Sequence, residues 1–213
     1  MTPDPTLSTG AALVADACRR FDGLVLSAEP DDHEQRLGVR HFLGWWFAHC
    51  DPALFVDLRA FTPNKKDPPW TERVQLAHLD AATATLLRWN RTRCVYFSVC
   101  PRKSDDAAAR KRDGVACVPG YWVDVDADSP DIVSRLRGFV KPPDHIVHSG
   151  HGYHGYWRFD APVPATPELK DRLKILARVL GGDPAVAEVA RVFRVPCSWN
   201  RKREPYIQSR IVP

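Results

Sequence analysis

Apolar residues recur at helical spacing in several stretches of the chain. The clearest stretch covers residues 34–49, where apolar positions follow one another every three or four residues. A second covers residues 167–180 and stops at Gly181-Gly182, the residue type that usually follows a helix C-terminus. The pattern predicts these two helices and shorter ones over residues 11–21, 75–88 and 132–139.

Other stretches are rich in β-branched and aromatic residues. Residues 94–99, with the sequence CVYFSV, predict a strand, and so do residues 121–126. Residues 145–148 and 154–159 predict a hairpin, because turn-forming residues lie between them. Further strands are predicted over 54–61, 192–196 and 206–212. Strands and helices mix without a regular alternation, which predicts an α+β fold around a mixed or largely antiparallel sheet.

The size and composition of the chain are those of an ordinary globular protein. It has 213 residues, of which 44% are hydrophobic and 26% charged. This length suits one large domain or two small ones. The strand-like pattern that reaches Pro213 indicates a fragment of a longer protein.

Two kinds of function are disfavoured by what the sequence lacks. No apolar run approaches the roughly 18 residues of a membrane helix, and the polar N-terminus does not resemble a secretory signal. We therefore expect a cytoplasmic protein with no membrane partner. Six cysteines form no C-x-x-C pair and are expected to be reduced. A zinc site from Cys94, Cys100 and Cys117 stays an alternative, although the spacings match no common zinc finger.

The formal net charge of +4 permits a phosphate-bearing partner without requiring one. The distribution of the charge is more informative than its sum. Basic residues concentrate in two segments, over 102–112 and 191–203. Each segment taken alone is equally well explained as a solvated surface.

Two carboxylates lie two positions apart in the predicted strand over 121–126. Asp124 and Asp126 therefore point to the same face, with Cα atoms about 6.6 Å apart. Aspartate is uncommon in strands, and neighbouring carboxylates repel each other unless a cation lies between them. Their oxygens suit hard ions such as Mg²⁺ and Mn²⁺. A solvated edge strand, or a cap at the following turn, is the alternative explanation.

The turn of the predicted hairpin is rich in histidine and glycine, with the sequence HSGHGYH over residues 148–154. Glycine lets a backbone approach a phosphate closely, and exposed turn amides can bind anions. His154 opens the second strand, where its imidazole could donate to a triphosphate oxygen. A histidine-rich surface turn and a zinc site from His148, His151 and His154 are the alternatives.

A third acidic residue and several cations follow in the C-terminal part. Asp183 comes directly after Gly181-Gly182, a position where Asp is most often a turn or cap residue. Arg191, Arg194 and Lys202 come next. Arginine forks match phosphate geometry and lysine adds a point charge. The order of these residues after the other two motifs makes them candidates for a phosphate site.

These three blocks, in this order, resemble the archaeo-eukaryotic primase superfamily. Its members carry a D-x-D/E motif on a strand, an s-x-H motif on a following strand and a later single Asp. Here the matching residues are Asp124 with Asp126, then His154, then Asp183. The hairpin and the tail resemble most closely the primase-polymerase domains of phages, plasmids and other mobile elements. Gly152 stands where many relatives have serine, so a backbone contact is the expected replacement for a hydroxyl contact.

The resemblance implies an RRM-like primase-polymerase catalytic fold. It implies one catalytic domain over residues 1–213, with an N-terminal subregion (1–90) and a catalytic sheet (91–213). It also implies a template-dependent nucleotidyltransferase, a DNA primase or DNA polymerase that releases pyrophosphate. Asp124, Asp126 and Asp183 would hold two divalent ions, Mg²⁺ or Mn²⁺, and His154 would hold the incoming NTP or dNTP. Nucleotide or phosphate contacts are implied for the remaining candidates: Ser149, Gly152, Arg191, Arg194, Lys202 and Arg102.

The implied partners are a single-stranded DNA template and a primer. A C-terminal helicase domain or a separate replication helicase is a further expectation, as is a phage- or plasmid-encoded origin in a bacterial cell. Tyr156 and Trp157 are candidates for stacking on a base, although core packing is the favoured role for Trp157.

Three other functions stay open at this point. One is an end-joining repair polymerase of the same superfamily, which would not start chains de novo. Another is a non-catalytic replication-origin or single-strand DNA-binding module. The third is a zinc-dependent hydrolase built on the histidine cluster.

Overall fold

The computed structural model describes residues 32–64, 66–106 and 112–213. The helix predicted over 11–21 lies outside the described residues. The helices are α1 (Asp32–Trp46), α2 (Leu79–Asn90), α3 (Pro130–Arg137) and α4 (Pro167–Leu180). The strands are β1 (Phe55–Phe61), β2 (Trp70–Gln75), β3 (Cys94–Ser98), β4 (Val118–Val125), β5 (His145–His148), β6 (Tyr153–Val163), β7 (Val192–Arg194), β8 (Trp199–Asn200), β9 (Ile207–Gln208) and β10 (Arg210–Val212).

Most predicted elements are present, and the differences have local causes. The helix predicted over 34–49 ends at Trp46, and turns follow to Cys50. The helix predicted over 75–88 begins as a 3₁₀ turn and becomes α-helical at Leu79. Strand β2 was not predicted, because its sequence WTERVQ contains few apolar residues. It can be polar because it is an edge strand, paired on one side with β1.

Two four-stranded antiparallel sheets form the framework. The first has the order β2-β1-β3-β7, and the second has the order β10-β5-β6-β4. Strands β8 and β9 pair as a small separate hairpin. The fold is therefore α+β, as the sequence predicts. Within the described residues, no helix is both long and apolar enough to cross a membrane.

Helix α1 packs against both sheets. Phe42 contacts Phe97 of β3 at 5.7 Å and Tyr156 of β6 at 5.1 Å between ring centroids, both edge to face. Trp46 also contacts Tyr156, and its indole donates to the Val99 carbonyl at 2.8 Å. Such aromatic pairs add about 0.5–1.5 kcal/mol each beyond their buried area. The far face of the second sheet is covered by α3 and α4, around Val123, Leu136, Trp157 and Leu180.

A buried ionic network holds the first sheet together. Asp57 of β1 accepts from Arg73, which lies opposite it on β2, at 2.6 Å. Its second oxygen accepts from Arg102 at 3.0 Å. All three side chains are less than 8% exposed. Loss of the carboxylate would leave two buried guanidinium groups without their counter-charge.

Replacing Asp57 by alanine should lower the free energy of unfolding by about 3–5 kcal/mol for this reason. Asp80→Ala is the matched control, because Asp80 is 86% exposed and pairs with Arg40 on the surface. That change should cost less than about 1 kcal/mol. Urea unfolding followed by fluorescence measures both, and equal effects would contradict the buried network.

Candidate active site

Asp124 and His154 face each other across neighbouring strands. They are register partners of β4 and β6, and the His154 Nε2 atom lies 3.5 Å from the Asp124 Oδ1 atom. Trp122 lies two residues earlier and therefore on the same face of β4. Its ring meets that of Phe193 in the first sheet, with 6.4 Å between the ring centroids. The Asp124–His154 pair therefore points into the seam between the two sheets.

Asp183 reaches the same place through the two glycines that end α4. Gly181 has a φ of +69°, which L side chains rarely adopt. A Cβ at Gly182 would lie 2.5 Å from the Asp124 carbonyl oxygen. The Asp183 amide donates to that carbonyl at 3.0 Å, while its carboxylate accepts from the Ala185 amide at 2.8 Å. Both glycines are thus required for Asp183 to sit beside Asp124.

The charges of the other two predicted carboxylates act on Asp124. The pKa of Asp124 is raised to about 7, first by burial and then by the negative charges of Asp126 and Asp183. Arg191 and Lys202 act in the opposite direction. Asp126 lies just past the end of β4 and is exposed. A cation at this place would relieve the repulsion that raises the pKa of Asp124.

The histidine-rich turn packs against the strand that carries the aspartates. A Cβ at Gly152 would lie 2.4 Å from the Val125 carbonyl oxygen, so the glycine lets the turn approach β4. The Ser149 hydroxyl donates to the Gly152 carbonyl at 3.1 Å, and the Ser149 carbonyl accepts from the side-chain amide of Asn200 at 3.1 Å. In this arrangement Ser149 shapes the turn and connects it to the C-terminal tail.

His154 is buried and electrically neutral. Its pKa is lowered to about 3 by burial, with smaller contributions from Arg194 and His148. Its Nδ1 atom lies 3.2 Å from the Tyr156 hydroxyl, and Phe193 meets the ring edge to face at 4.9 Å. With its side chain 6% exposed, His154 contacts Asp124 directly and offers little surface to a nucleotide.

Arg194 and Tyr96 form the opposite wall of the site, on β7 and β3. The Arg194 Nη2 atom donates to the Tyr96 hydroxyl at 2.9 Å, and its guanidinium lies 5.0 Å from the ring centroid. The Arg194 Nη1 atom is buried and has no hydrogen-bond partner. A buried donor of this kind is costly unless a ligand satisfies it. Tyr96 was not predicted as a site residue, because only the pairing of β3 with β7 brings it here.

The other predicted contacts fall into two groups. Arg191 and Lys202 are exposed and close enough to influence Asp124. Arg102 is 1% exposed and donates to Asp57 and to the Ala190 carbonyl. The structure does not support its predicted contact with phosphate, because the guanidinium is buried and bonds to these interior groups. Tyr156 and Trp157 are 0% and 4% exposed and belong to the core. This confirms the favoured core role of Trp157 and contradicts stacking of Tyr156 on a base.

The zinc alternatives find no support in the structure. His148 pairs with Asp128 at 3.1 Å and His154 with Asp124. Cys117 contacts Cys50, whereas Cys94 lies against Asn200. Across residues 32–64, 66–106 and 112–213, no three His, Cys, Asp or Glu side chains form a preformed metal-binding group. A structural zinc site needs such a complete protein cage.

Comparison with known proteins identifies the family. Residues 81–210, more than half of the chain, match the RepB DNA-primase N-terminal domain family. The chain belongs to that family. This RepB-type primase domain therefore has the fold and family of primase-type nucleotidyltransferases, and its predicted membership of the archaeo-eukaryotic primase superfamily, phage and plasmid type, is confirmed. Among curated proteins, none matches its sequence significantly.

Solved structures share the fold at low sequence identity. The primase-polymerase domain of cyanophage S-2L superposes with a TM-score of 0.59 at 17% identity, over 82% of this chain and 89% of that one. Primase RepB′ gives 0.58 at 18%, over 82% of this chain and 56% of that one. The catalytic domain of RepB′ in complex with initiator DNA gives 0.57 at 18%, over 83% and 85%.

Gly182→Ala should separate Asp183 from Asp124, because the added Cβ collides with the Asp124 carbonyl. We expect a loss of about 1–3 kcal/mol in the free energy of unfolding, together with a lower pKa of Asp124 measured by NMR. Gly138→Ala is the control. Gly138 has an ordinary negative φ of −79°, and its added Cβ would come no closer to another atom than 3.2 Å, the distance to the Ser134 carbonyl oxygen. An unchanged pKa of Asp124 in Gly182→Ala would contradict the described contact.

Proposed function

We propose that the RepB-type primase domain is a template-dependent nucleotidyltransferase that makes or extends primers from NTPs or dNTPs. The observation that carries this proposal is that the Asp183 amide bonds to the Asp124 carbonyl, while the charges of Asp126 and Asp183 both act on the Asp124 carboxylate. Arg194, which influences the pKa of His154 beside Asp124, has a buried donor with no partner. These observations support negative groups for cations and a guanidinium for phosphate bordering one site. That combination suits a triphosphate with its bound ions.

The donor set fits two Mg²⁺ or Mn²⁺ ions. Carboxylate oxygens are the ligands these ions prefer. Mg²⁺ is usually bound by one or two carboxylates together with waters and substrate phosphates, not by a complete protein cage. A partial set of carboxylates on this chain is what such a site requires. When bound, the ions would lower the pKa of the attacking hydroxyl and neutralise the triphosphate.

The residues of the chain then have separate roles in an in-line displacement. The hydroxyl oxygen of a primer terminus, or of a first nucleotide, attacks the α-phosphorus, and pyrophosphate leaves. Arg194 would donate to a phosphate oxygen from its buried position. Arg191 and Lys202 would neutralise charge from the solvent side. The turn amides around Ser149 and Gly152 would border the nucleotide.

His154 has two separable roles under this proposal. The sequence-based role is to hold the incoming nucleotide. Its burial and its 3.5 Å contact with Asp124 favour orientation of that carboxylate as well. A phosphate contact would require the imidazole to exchange its present neighbour for the triphosphate.

The proposed macromolecular partners are a single-stranded DNA template and a primer. The solved complex of RepB′ with initiator DNA supports DNA binding by analogy of fold. The helicase partner and the cytoplasmic, phage- or plasmid-encoded setting stay predictions. An end-joining polymerase or a non-catalytic DNA-binding module would fail to form dinucleotides on an unprimed template with Mn²⁺, which separates both from a primase.

Asp124→Ala or Asp126→Ala should abolish nucleotide incorporation while the domain stays folded. Removal of either carboxylate deprives the ions of a ligand, and alanine is tolerated because Asp126 is exposed and Asp124 is itself destabilised by burial. Primer extension with labelled nucleotides measures the loss, and circular dichroism checks the fold. Exposed Asp171→Ala on α4 is the control. Full activity in either variant would refute the assignment.

His154→Gln should raise the apparent KM for the nucleotide if the imidazole holds the triphosphate. A lower kcat at unchanged KM would instead show that His154 acts by orienting Asp124. His151→Ala, at the exposed tip of the turn, should change neither constant. Steady-state incorporation at saturating template provides both constants. Wild-type values of both for His154→Gln would remove this residue from the site.

A further inference from the structure

An exposed tryptophan stands at the start of β2. Trp70 is 43% exposed, and the Arg93 guanidinium lies 3.9 Å from its ring centroid. Trp89 meets the same ring at 6.0 Å, and Arg93 is held in place by a bond to the Pro68 carbonyl at 3.3 Å. Trp and Tyr are enriched at binding interfaces, where an apolar ring can meet a partner while its polar atom stays hydrated.

A second aromatic–arginine pair, with an exposed ring and a buried arginine, lies on the β8–β9 hairpin. Tyr206 is 40% exposed, and the Arg201 guanidinium lies 5.0 Å from its ring centroid. The loop between the two strands has the sequence RKREPY and holds three cations against one acid. The hairpin therefore presents an aromatic face surrounded by positive charge.

Asn90, a buried side chain at the end of α2, connects the two pairs. Its amide donates to the Arg93 carbonyl at 2.9 Å and to the Trp199 carbonyl at 3.0 Å. Its side-chain oxygen accepts from the Trp199 amide at 2.7 Å, and its backbone carbonyl accepts from Arg201. Asn90 therefore holds both the Trp70–Arg93 pair, through Arg93, and the β8–β9 hairpin, through Trp199 and Arg201.

The same hairpin leads to the proposed active site. Asn200 donates to the Ser149 carbonyl of the histidine-rich turn at 3.1 Å and accepts from the Lys202 amide at 3.2 Å. That turn packs against the end of β4, where a Cβ at Gly152 would lie 2.4 Å from the Val125 carbonyl oxygen. A set of contacts therefore runs from the turn beside the proposed active site, through the hairpin, to the two aromatic–arginine pairs.

From this arrangement we infer a stacking platform for single-stranded nucleic acid, formed by Trp70 with Arg93 and Tyr206 with Arg201. The inference rests on the proposed function and assigns the path of the template strand outside the catalytic seam. Unpaired bases stack on exposed aromatic rings, and neighbouring exposed cations such as Lys202 and Arg203 neutralise the strand's phosphates. A duplex hides its base faces and could use only the charge.

Binding of a labelled oligothymidine of about 16 nucleotides, followed by fluorescence anisotropy without nucleotide or metal, tests the platform. Trp70→Leu and Tyr206→Leu keep apolar packing but remove the ring face, so each should weaken binding at least about fivefold. Trp70→Phe and Tyr206→Phe should retain most of the affinity. Ile175→Ala, which removes a 57% exposed apolar side chain from α4, is the control and should bind like wild type.

An abasic strand of equal length separates stacking from charge. Wild type and the leucine variants should bind it equally, because no base is present to stack. Equal losses on both strands, or wild-type affinity of both leucine variants for oligothymidine, would overturn the platform. If Trp70→Leu lowers the thermal stability, Tyr206→Leu alone decides the question, since Tyr206 lies in an exposed hairpin loop.

The result is independent of the catalytic proposal. Asp124→Ala should bind the oligothymidine like wild type, because the assay contains neither nucleotide nor metal. If the leucine variants bind oligothymidine like wild type while Asp124→Ala loses synthesis, only the platform is refuted. Stacking without any metal-dependent synthesis by wild type would refute only the enzyme, and would favour a single-strand binding module.

Discussion

The crowding of negative charge at the end of β4 is the constraint on which the site depends. Backbone pairing fixes Asp124 opposite His154, and a backbone hydrogen bond fixes Asp183 beside Asp124. Burial and the repulsion of the neighbouring carboxylates raise the pKa of Asp124 to about 7. Gly182 makes the approach of Asp183 to Asp124 sterically feasible, and Gly152 lets the histidine-rich turn pack against β4. The scaffold thus holds the carboxylates in an arrangement that favours a cation.

The site lies in a seam between two sheets, so its geometry depends on how the sheets are joined. Phe42 of α1 contacts aromatic rings of both sheets, and Phe193 of the first sheet contacts His154 of the second. The carboxylates come from one sheet and Arg194 from the other. Packing in the core therefore sets the distance between the carboxylates proposed to bind cations and the guanidinium proposed to bind phosphate.

Family and fold are shown by different observations. The match over residues 81–210 places the chain among the RepB DNA-primase N-terminal domains, and the solved relatives share its fold at 17–18% identity. At that identity the shared fold does not carry the chemistry of individual residues. The chemistry proposed for this chain depends instead on its own contacts: the crowded carboxylates, the unsatisfied Arg194 donor and the hairpin anchored on Asn90.

The sequence by itself determined the element types, the α+β class and the candidates Asp124, Asp126, His154 and Asp183, because periodicity and short motifs are local properties. It could not reveal that Arg102 is paired with Asp57, that Tyr156 is in the core, or that Tyr96 contacts Arg194. Those facts depend on which strands become neighbours. Only the tertiary structure decides that, since pairing between residues distant in the chain is set by the packing of the whole core.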